Sequence, residues 1–161
     1  CIAISIANNI KSATIDAFDI SENAIQLAIE NSLLNCVNVH FFIYDILNFK
    51  LNTWKGFLDY DVIVCNPPYI PFKDKHNIQP QIIHFEPPLA LFVEDEDPLI
   101  FYKKASEAAL SILKSGGSIY FEINENHGIE VVKILYEYGY KNIILKKDIN
   151  EKDRMIKAIK T

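Results

Sequence analysis

A doubly wound α/β sheet, mostly parallel and closed by a C-terminal antiparallel hairpin, is the fold class this sequence predicts. Three observations predict it. Short apolar runs alternate with amphipathic helical stretches along the whole chain, the pattern of a parallel sheet flanked by helices. The run Asp61-Val-Ile-Val-Cys65 is apolar enough to be buried on both faces, as a parallel strand is. The last two strand-like runs, 141–147 and 154–159, are joined only by the polar turn 148–153. That connection is too short for a parallel crossover and demands an antiparallel pair.

The elements follow in order. Residues 13–19, ATIDAFD, read as a buried strand ending in an acidic residue. Ser21 is an N-cap with Glu22 favourable to the helix dipole. From Glu22 to Leu34, the residues Ile25, Ala28, Ile29 and Leu33 form the apolar stripe of an amphipathic helix, and Asn35 suits its exit. Val37, Val39, Phe41 and Ile43 alternate as a second strand, and residues 61–65 make the third. Pro98 to Lys114 reads as a helix closed by Gly116-Gly117, followed by a strand at 118–123 and a helix at 128–138 ending at Gly139. In the opening residues Ile2, Ile4 and Ile6 alternate as in a strand, while Ala3, Ala7 and Asn8-Asn9 equally allow a helix. Periodicity leaves both open.

Composition bounds the function. The 161 residues fit one domain, 50% hydrophobic and 23% charged, which describes a globular rather than a disordered chain. No apolar run reaches the ~18 residues of a membrane span, and no basic-then-apolar signal peptide opens the chain, so the expected location is the cytoplasm with no membrane partner. Cys1, Cys36 and Cys65 are far apart and the four histidines have no i, i+4 pair, so neither a disulfide framework nor a metal site is expected. The formal charge of −5, without a Lys/Arg cluster, disfavours a nucleic-acid backbone as partner.

In an open α/β sheet, ligands bind at the carboxyl ends of the strands. Three polar signals fall there: Asp19, Asp45 and Asn66-Pro67-Pro68-Tyr69. Either aspartate alone fits a turn or a helix cap as well as a ligand. Together, at consecutive strand ends, they favour an adenosine, Asp19 at the ribose and Asp45 at the adenine amine. The Asn-Pro-Pro-Tyr corner is more specific. Its prolines fix φ and remove two donors, and Pro67 restricts Asn66 to extended backbone. The Asn66 side-chain oxygen and the Pro67 carbonyl can then accept both hydrogens of one planar NH2 group, with Tyr69 packed against it. Such a clamp aims the nitrogen at an electrophile such as a sulfonium methyl, where positioning supplies most of the rate. Residues 70–97, rich in Pro and acidic residues with at most one short helix, are long enough to suggest a functional loop, with substrate recognition its natural job. Within it, the run Glu94-Asp95-Glu96-Asp97 reads as a solvated loop.

Several segments in order carry a family resemblance: CIAISIA (1–7), FDIS (18–21), YDIL (44–47), VCNPPYIP (64–71), FEPPLALF (85–92), FYKK (101–104), LKSGGSIYFEIN (113–124) and KDINEKDRMIKA (147–158). The chain resembles the HemK/PrmC family of peptide-chain release-factor glutamine methyltransferases. The motif NPPY alone is shared with DNA adenine and other amide methyltransferases, while FEPPLALF and the terminal KD…KDR are more particular to this family. The resemblance implies a Rossmann-like class I methyltransferase sheet and S-adenosylmethionine as cofactor. It also implies methyl transfer to the glutamine amide in the Gly-Gly-Gln loop of a release factor. By motif match, Asp19 would hold the ribose, and Asp45 with Ile46 would flank the adenine. Asn66, beside the cofactor, and the Pro67 carbonyl would hold the amide, with Pro68 and Tyr69 completing its slot. It implies a helix for residues 1–7 and a release factor as the protein partner; the expected oligomeric state is a monomer.

Members of that family carry a first strand and a Gly-x-Gly-x-Gly loop just before the position of Cys1, and a helical N-terminal domain before those. The expectation for residues 1–161 is therefore one catalytic domain, truncated at its N-terminus. Near Glu94–Asp97 and Asn124 the family's glycines are replaced, which alters local loop shape. The competing readings are an adenine methyltransferase acting on a flipped base and a non-catalytic adenosine-binding module.

Overall fold

The computed structural model describes all 161 residues, folded as two compact units, Cys1–Phe57 and Leu58–Thr161. The first unit opens with helix α1 (Ile2–Asn9), so the conformation implied by the family pattern is the one adopted. Strand β1 (Asp16–Asp19) is shorter than the apolar run containing it and leads into α2 (Glu22–Leu34). The Ser21 hydroxyl caps that helix by accepting the Ala24 N–H at 3.2 Å, which satisfies one of the orphan donors of its first turn. Strand β2 (His40–Ile43) runs parallel to β1, with Asp16 opposite His40 and Asp19 opposite Ile43.

Three expectations for this unit need correction, the first being that residues 13–19, read as a buried strand, contain no buried residue. On α2 only Ile25 of the apolar stripe is buried, while Ile29 is 36% and Leu33 is 71% exposed. The helix packs on a two-stranded sheet, and two strands about 4.8 Å apart are too narrow to cover a stripe of roughly 100°. On β2 the buried residue is Phe42, with Tyr44 just beyond it; of the expected alternating set, Val39 is buried just ahead of the strand, Val37 and Phe41 are half-buried and Ile43 is exposed. Aromatic area decides this. Phe18, Phe42, Tyr44 and Phe49 gather around Trp54 with ring centroids 5.1–5.7 Å from it, mostly edge to face.

The second unit carries β3 (Tyr60–Cys65), β4 (Ile70–Pro71), α3 (Pro80–Phe85), α4 (Pro88–Leu91), β5 (Phe92–Val93), α5 (Ile100–Ile112), β6 (Leu113–Glu122), α6 (Gly128–Glu137), β7 (Lys141–Lys147) and β8 (Asp153–Ile159). Its main sheet has the order β3-β6-β8-β7. Strands β3 and β6 are parallel, and β8 is antiparallel to both neighbours. The predicted closing hairpin is present. The core is dense: Ile119, Phe121 and Ile123 from the β6 segment, Ile156 from β8, and Tyr102, Val131, Leu135 and Tyr140 from the helices and their exits are all at most 2% exposed. The Tyr140 hydroxyl, buried with them, donates to the Ser106 carbonyl at 2.9 Å, as a buried hydroxyl must find a partner.

Three expectations fail here. Strand β3 is an edge strand, and Val62 and Val64 are 50% and 44% exposed rather than buried on both faces. The helix expected to reach Lys114 stops at Ile112, because Leu113 is extended and already paired with Tyr60. Gly116 and Gly117 consequently lie inside β6, where the pairing jumps from Tyr60–Leu113 to Val62–Ser118. This is a bulge, and both glycines are required by it. Gly116 has φ +81°, and a Cβ on Gly117 would lie 3.0 Å from two backbone carbonyl oxygens. Finally, residues 70–97 are more ordered than a loop with one short helix. A 3-10 segment Phe72–Asn77, α3 and α4 lie between β4 and β5, which pair in parallel and clasp the segment at its base. Within the acidic run, Asp95 accepts the Lys73 N–H at 3.0 Å, and Asp97 pairs with Lys103 at 2.8 Å. No helix is long and apolar enough to cross a membrane.

Candidate functional site

In the first unit, the parallel pairing of β1 with β2 brings Asp19 and Asp45 to the carboxyl ends of adjacent strands. Each carboxylate also shapes its own turn. Asp19 Oδ1 accepts the Ser21 N–H at 2.8 Å. Asp45 precedes the 3-10 segment Ile46–Asn48, accepting the Leu47 N–H at 2.9 Å and the Asn48 side-chain amide at 2.7 Å. The turn-residue reading of both aspartates is thus fulfilled. Asp19 is exposed with its second oxygen unengaged, and a carboxylate oxygen accepts more than one hydrogen bond. The pair keeps the acceptor capacity that ribose hydroxyls and an adenine amine need. Ile46, half-buried, follows Asp45 directly.

In the second unit, β3 ends at Cys65 and the chain leaves the ladder for Asn66–Tyr69 before re-forming a strand at Ile70. Asn66 is exposed, Pro67 is buried, and Pro68 and Tyr69 are half-buried. Neither the Asn66 side chain nor the Pro67 carbonyl is engaged by another protein group. Buried proline beside exposed asparagine makes a rigid anchor with a polar tip. Cys65, immediately before it, has its thiol pushed up to about 12 by burial. It stays protonated at neutral pH and offers no nucleophile.

The turn is pinned through Tyr69. Because Cys65 pairs with Phe121 in parallel register, the residues just past both strand ends are neighbours. The Tyr69 hydroxyl donates to Glu122 Oε1 at 3.1 Å, and the Asn124 side-chain amide donates to the Tyr69 carbonyl at 3.3 Å. Burial, and after it the charge of Glu122, raises the phenol above its ordinary range, so Tyr69 remains a donor. Glu122 and Arg154 were not among the residues singled out by sequence reasoning, and Asn124 was noted only as a replaced glycine, not as a site residue. Their segments, FEIN and KDR, stood among the family-like stretches, but nothing in residue spacing ties them to the asparagine turn. Only the parallel register does.

Parallel strand pairs in each unit, polar groups past their carboxyl ends and an antiparallel closing hairpin are the features of the Rossmann-like class I methyltransferase fold. A solved methyltransferase from Pyrococcus furiosus shares this fold with a TM-score of 0.66 at 18% identity, over 97% of this chain and 67% of that one. Residues 1–85 match the family model described as methyltransferase small domain, and the chain belongs to that family. Among curated relatives it is 45% identical to the release factor glutamine methyltransferase of Flavobacterium psychrophilum, over 98% of this chain and 54% of that protein. It is 39% identical to the protein of the same name from Bacteroides thetaiotaomicron, over 98% of this chain and 56% of that one. The chain thus spans about half the length of these relatives.

Proposed function

We propose that the full-length protein containing this chain transfers a methyl group from S-adenosylmethionine to the side-chain amide nitrogen of the glutamine in a release factor's Gly-Gly-Gln loop. The observation that carries this reading is the Asn66–Tyr69 turn: an exposed asparagine locked against a buried proline, with its side chain and the next carbonyl both unengaged. The names of the relatives support the substrate. Residues 1–161 form the catalytic portion, and the location is the cytoplasm, where release factors work. The release factor is the partner, with no direct contact to nucleic acid, and the protein acts as a monomer.

The chemistry asks little of the protein beyond placement. When bound, the cofactor supplies a methyl group on a sulfonium, electrophilic without further activation. Asp19 would accept hydrogen bonds from the ribose, and Asp45 with Ile46 would flank the adenine. Asn66 Oδ1 and the Pro67 carbonyl would accept the two N–H bonds of the glutamine amide, and Pro68 and Tyr69 would complete its slot. Transfer would form the N–C bond as the C–S bond of the sulfonium breaks, and the nitrogen would release one proton to solvent. An amide nitrogen is a poor nucleophile, so alignment and partial negative charge from two acceptors are the available sources of rate.

The test incubates the full-length protein with isotopically labelled S-adenosylmethionine and either a release factor or unmethylated DNA. Label on the release factor, mapped by mass spectrometry to the Gly-Gly-Gln glutamine, is the expected result. Label on DNA adenine would overturn the reading in favour of a base methyltransferase, and label on neither would mark a non-catalytic module.

A further inference from the structure

The terminal KD…KDR segment has no part in the mechanism above, yet the fold carries it to the asparagine turn. Strand β8 pairs with β6 so that Met155 lies opposite Glu122, which sets Arg154 beside the end of β6. The Arg154 backbone carbonyl accepts the Ile123 N–H at 2.9 Å, and its guanidinium Nη1 donates to the Ile123 carbonyl at 3.2 Å. Its Nε donates to Asp148 at 3.4 Å. Asp148 is in turn fixed by the N–H groups of Asn150 and Lys152, at 2.8 and 3.2 Å, within the hairpin turn. Its Nη2 lies 3.9 Å from Glu125 Oε2.

We propose that Glu122 and Arg154 are positioning residues. Glu122 acts through the Tyr69 hydroxyl and Arg154 through the Ile123 carbonyl, and together they hold the Asn66–Tyr69 turn in the geometry in which its two oxygens receive the substrate amide. This rests on the amide-clamp reading of the turn. The logic is mechanical. Two prolines make the turn stiff, so fixing its last residue at both hydroxyl and carbonyl fixes the whole segment. Glu122 accepts a hydrogen bond from the Tyr69 hydroxyl, Arg154 fixes the Ile123 carbonyl between Glu122 and Asn124, and the Asp148 turn keeps Arg154 from swinging away. A half-buried carboxylate that has a donor is satisfied, whereas one stripped of it is not. An error of an ångström at Asn66 is enough to cost roughly 10²-fold in rate.

The experiment is a double-mutant cycle on the full-length protein, with turnover, cofactor Kd and the 15N-resolved resonances of the Asn66 side-chain amide as readouts. Glu122→Ala is expected to lower kcat by roughly 10–100-fold, with cofactor Kd within about twofold. Glu122→Gln, which still accepts from Tyr69, should recover most of that loss. In a Tyr69→Phe background, Glu122→Ala should cost less than about threefold more, because residues acting through one bond are not additive. Arg154→Ala should move the Asn66 side-chain resonances, and Arg154→Lys should move them less. Fully additive losses, or unchanged Asn66 resonances in folded Glu122→Ala and Glu122→Gln proteins, would overturn the proposal. A wild-type rate in Asn66→Ala would instead refute the amide clamp, and the resonance shifts would still decide the positioning role.

Discussion

The two units solve the same burial problem with unequal means. All ten of the largest fully buried side chains, from Tyr102 to Ser106, lie in the second unit. There a four-stranded sheet is covered by α5 and α6, and the turn at Asn66 grows from its edge strand. The first unit has two strands, and one helix against them whose Leu27, Leu33 and Leu34 are 59%, 71% and 81% exposed. It holds together by an aromatic cluster around Trp54 rather than by a sealed core. The difference teaches where rigidity is invested: the proposed amide clamp stands on the dense unit, and the carboxylates proposed for adenosine stand on the sparse one. Local stability follows buried apolar contact, so the two should open with different free energies.

That comparison can be broken or sharpened by substitution. The largest effect is expected at Ile119, 0% exposed in β6. Ile119→Ala should cost about 2–5 kcal/mol of unfolding free energy, whereas Leu34→Ala, on the exposed helix face, should stay within about 0.5 kcal/mol. Chemical denaturation measures both, and equal losses would end the comparison. Gly117→Ala is next. The new methyl would press on the carbonyls of Lys114 and Tyr60, and a loss of about 1–3 kcal/mol is expected, with the exchange of β6 amides reporting whether the bulge shifts. In the sparse unit, Ser21→Ala removes the cap on α2 and should cost about 1 kcal/mol. Faster hydrogen exchange confined to residues 22–28 would show that the unit opens locally.

The smallest effect concerns pH. The N–H of Lys152, then that of Asn150 and the Arg154 guanidinium, hold the Asp148 carboxyl below its ordinary range. A carboxylate depressed in the folded state stabilises above its unfolded pKa, and that contribution is lost as pH falls through the lower, folded value. Amide exchange at Lys152, corrected for its intrinsic pH dependence, should therefore lose protection in acid, and Asp148→Asn should remove that dependence.

How much of this was legible in the sequence varies by the range of the interaction. Local signals were read well. Ser21 caps α2, Asn35 ends it, and the 148–153 turn closes an antiparallel hairpin, because each depends on residues a few positions apart. Burial was read less well. Val62 and Val64 look like central-strand residues, but their exposure depends on which strands flank β3, a property of the whole sheet. Gly116-Gly117 looked like a helix stop because a bulge and a C-cap want the same residue. At the site, Asn66 and Pro67 announced themselves through two prolines after an apolar run. Glu122 and Arg154, 56 and 88 positions further on, reach the turn only through pairing register, which composition does not encode.

The most direct test of the central claim is the single-turnover rate of Asn66→Ala in the full-length protein with saturating cofactor and release factor. Loss of one well-placed polar group predicts a fall of roughly 10²–10³, while the dissociation constant for S-adenosylmethionine changes much less. A wild-type rate, or a loss that appears wholly as weakened cofactor binding, would contradict the amide clamp.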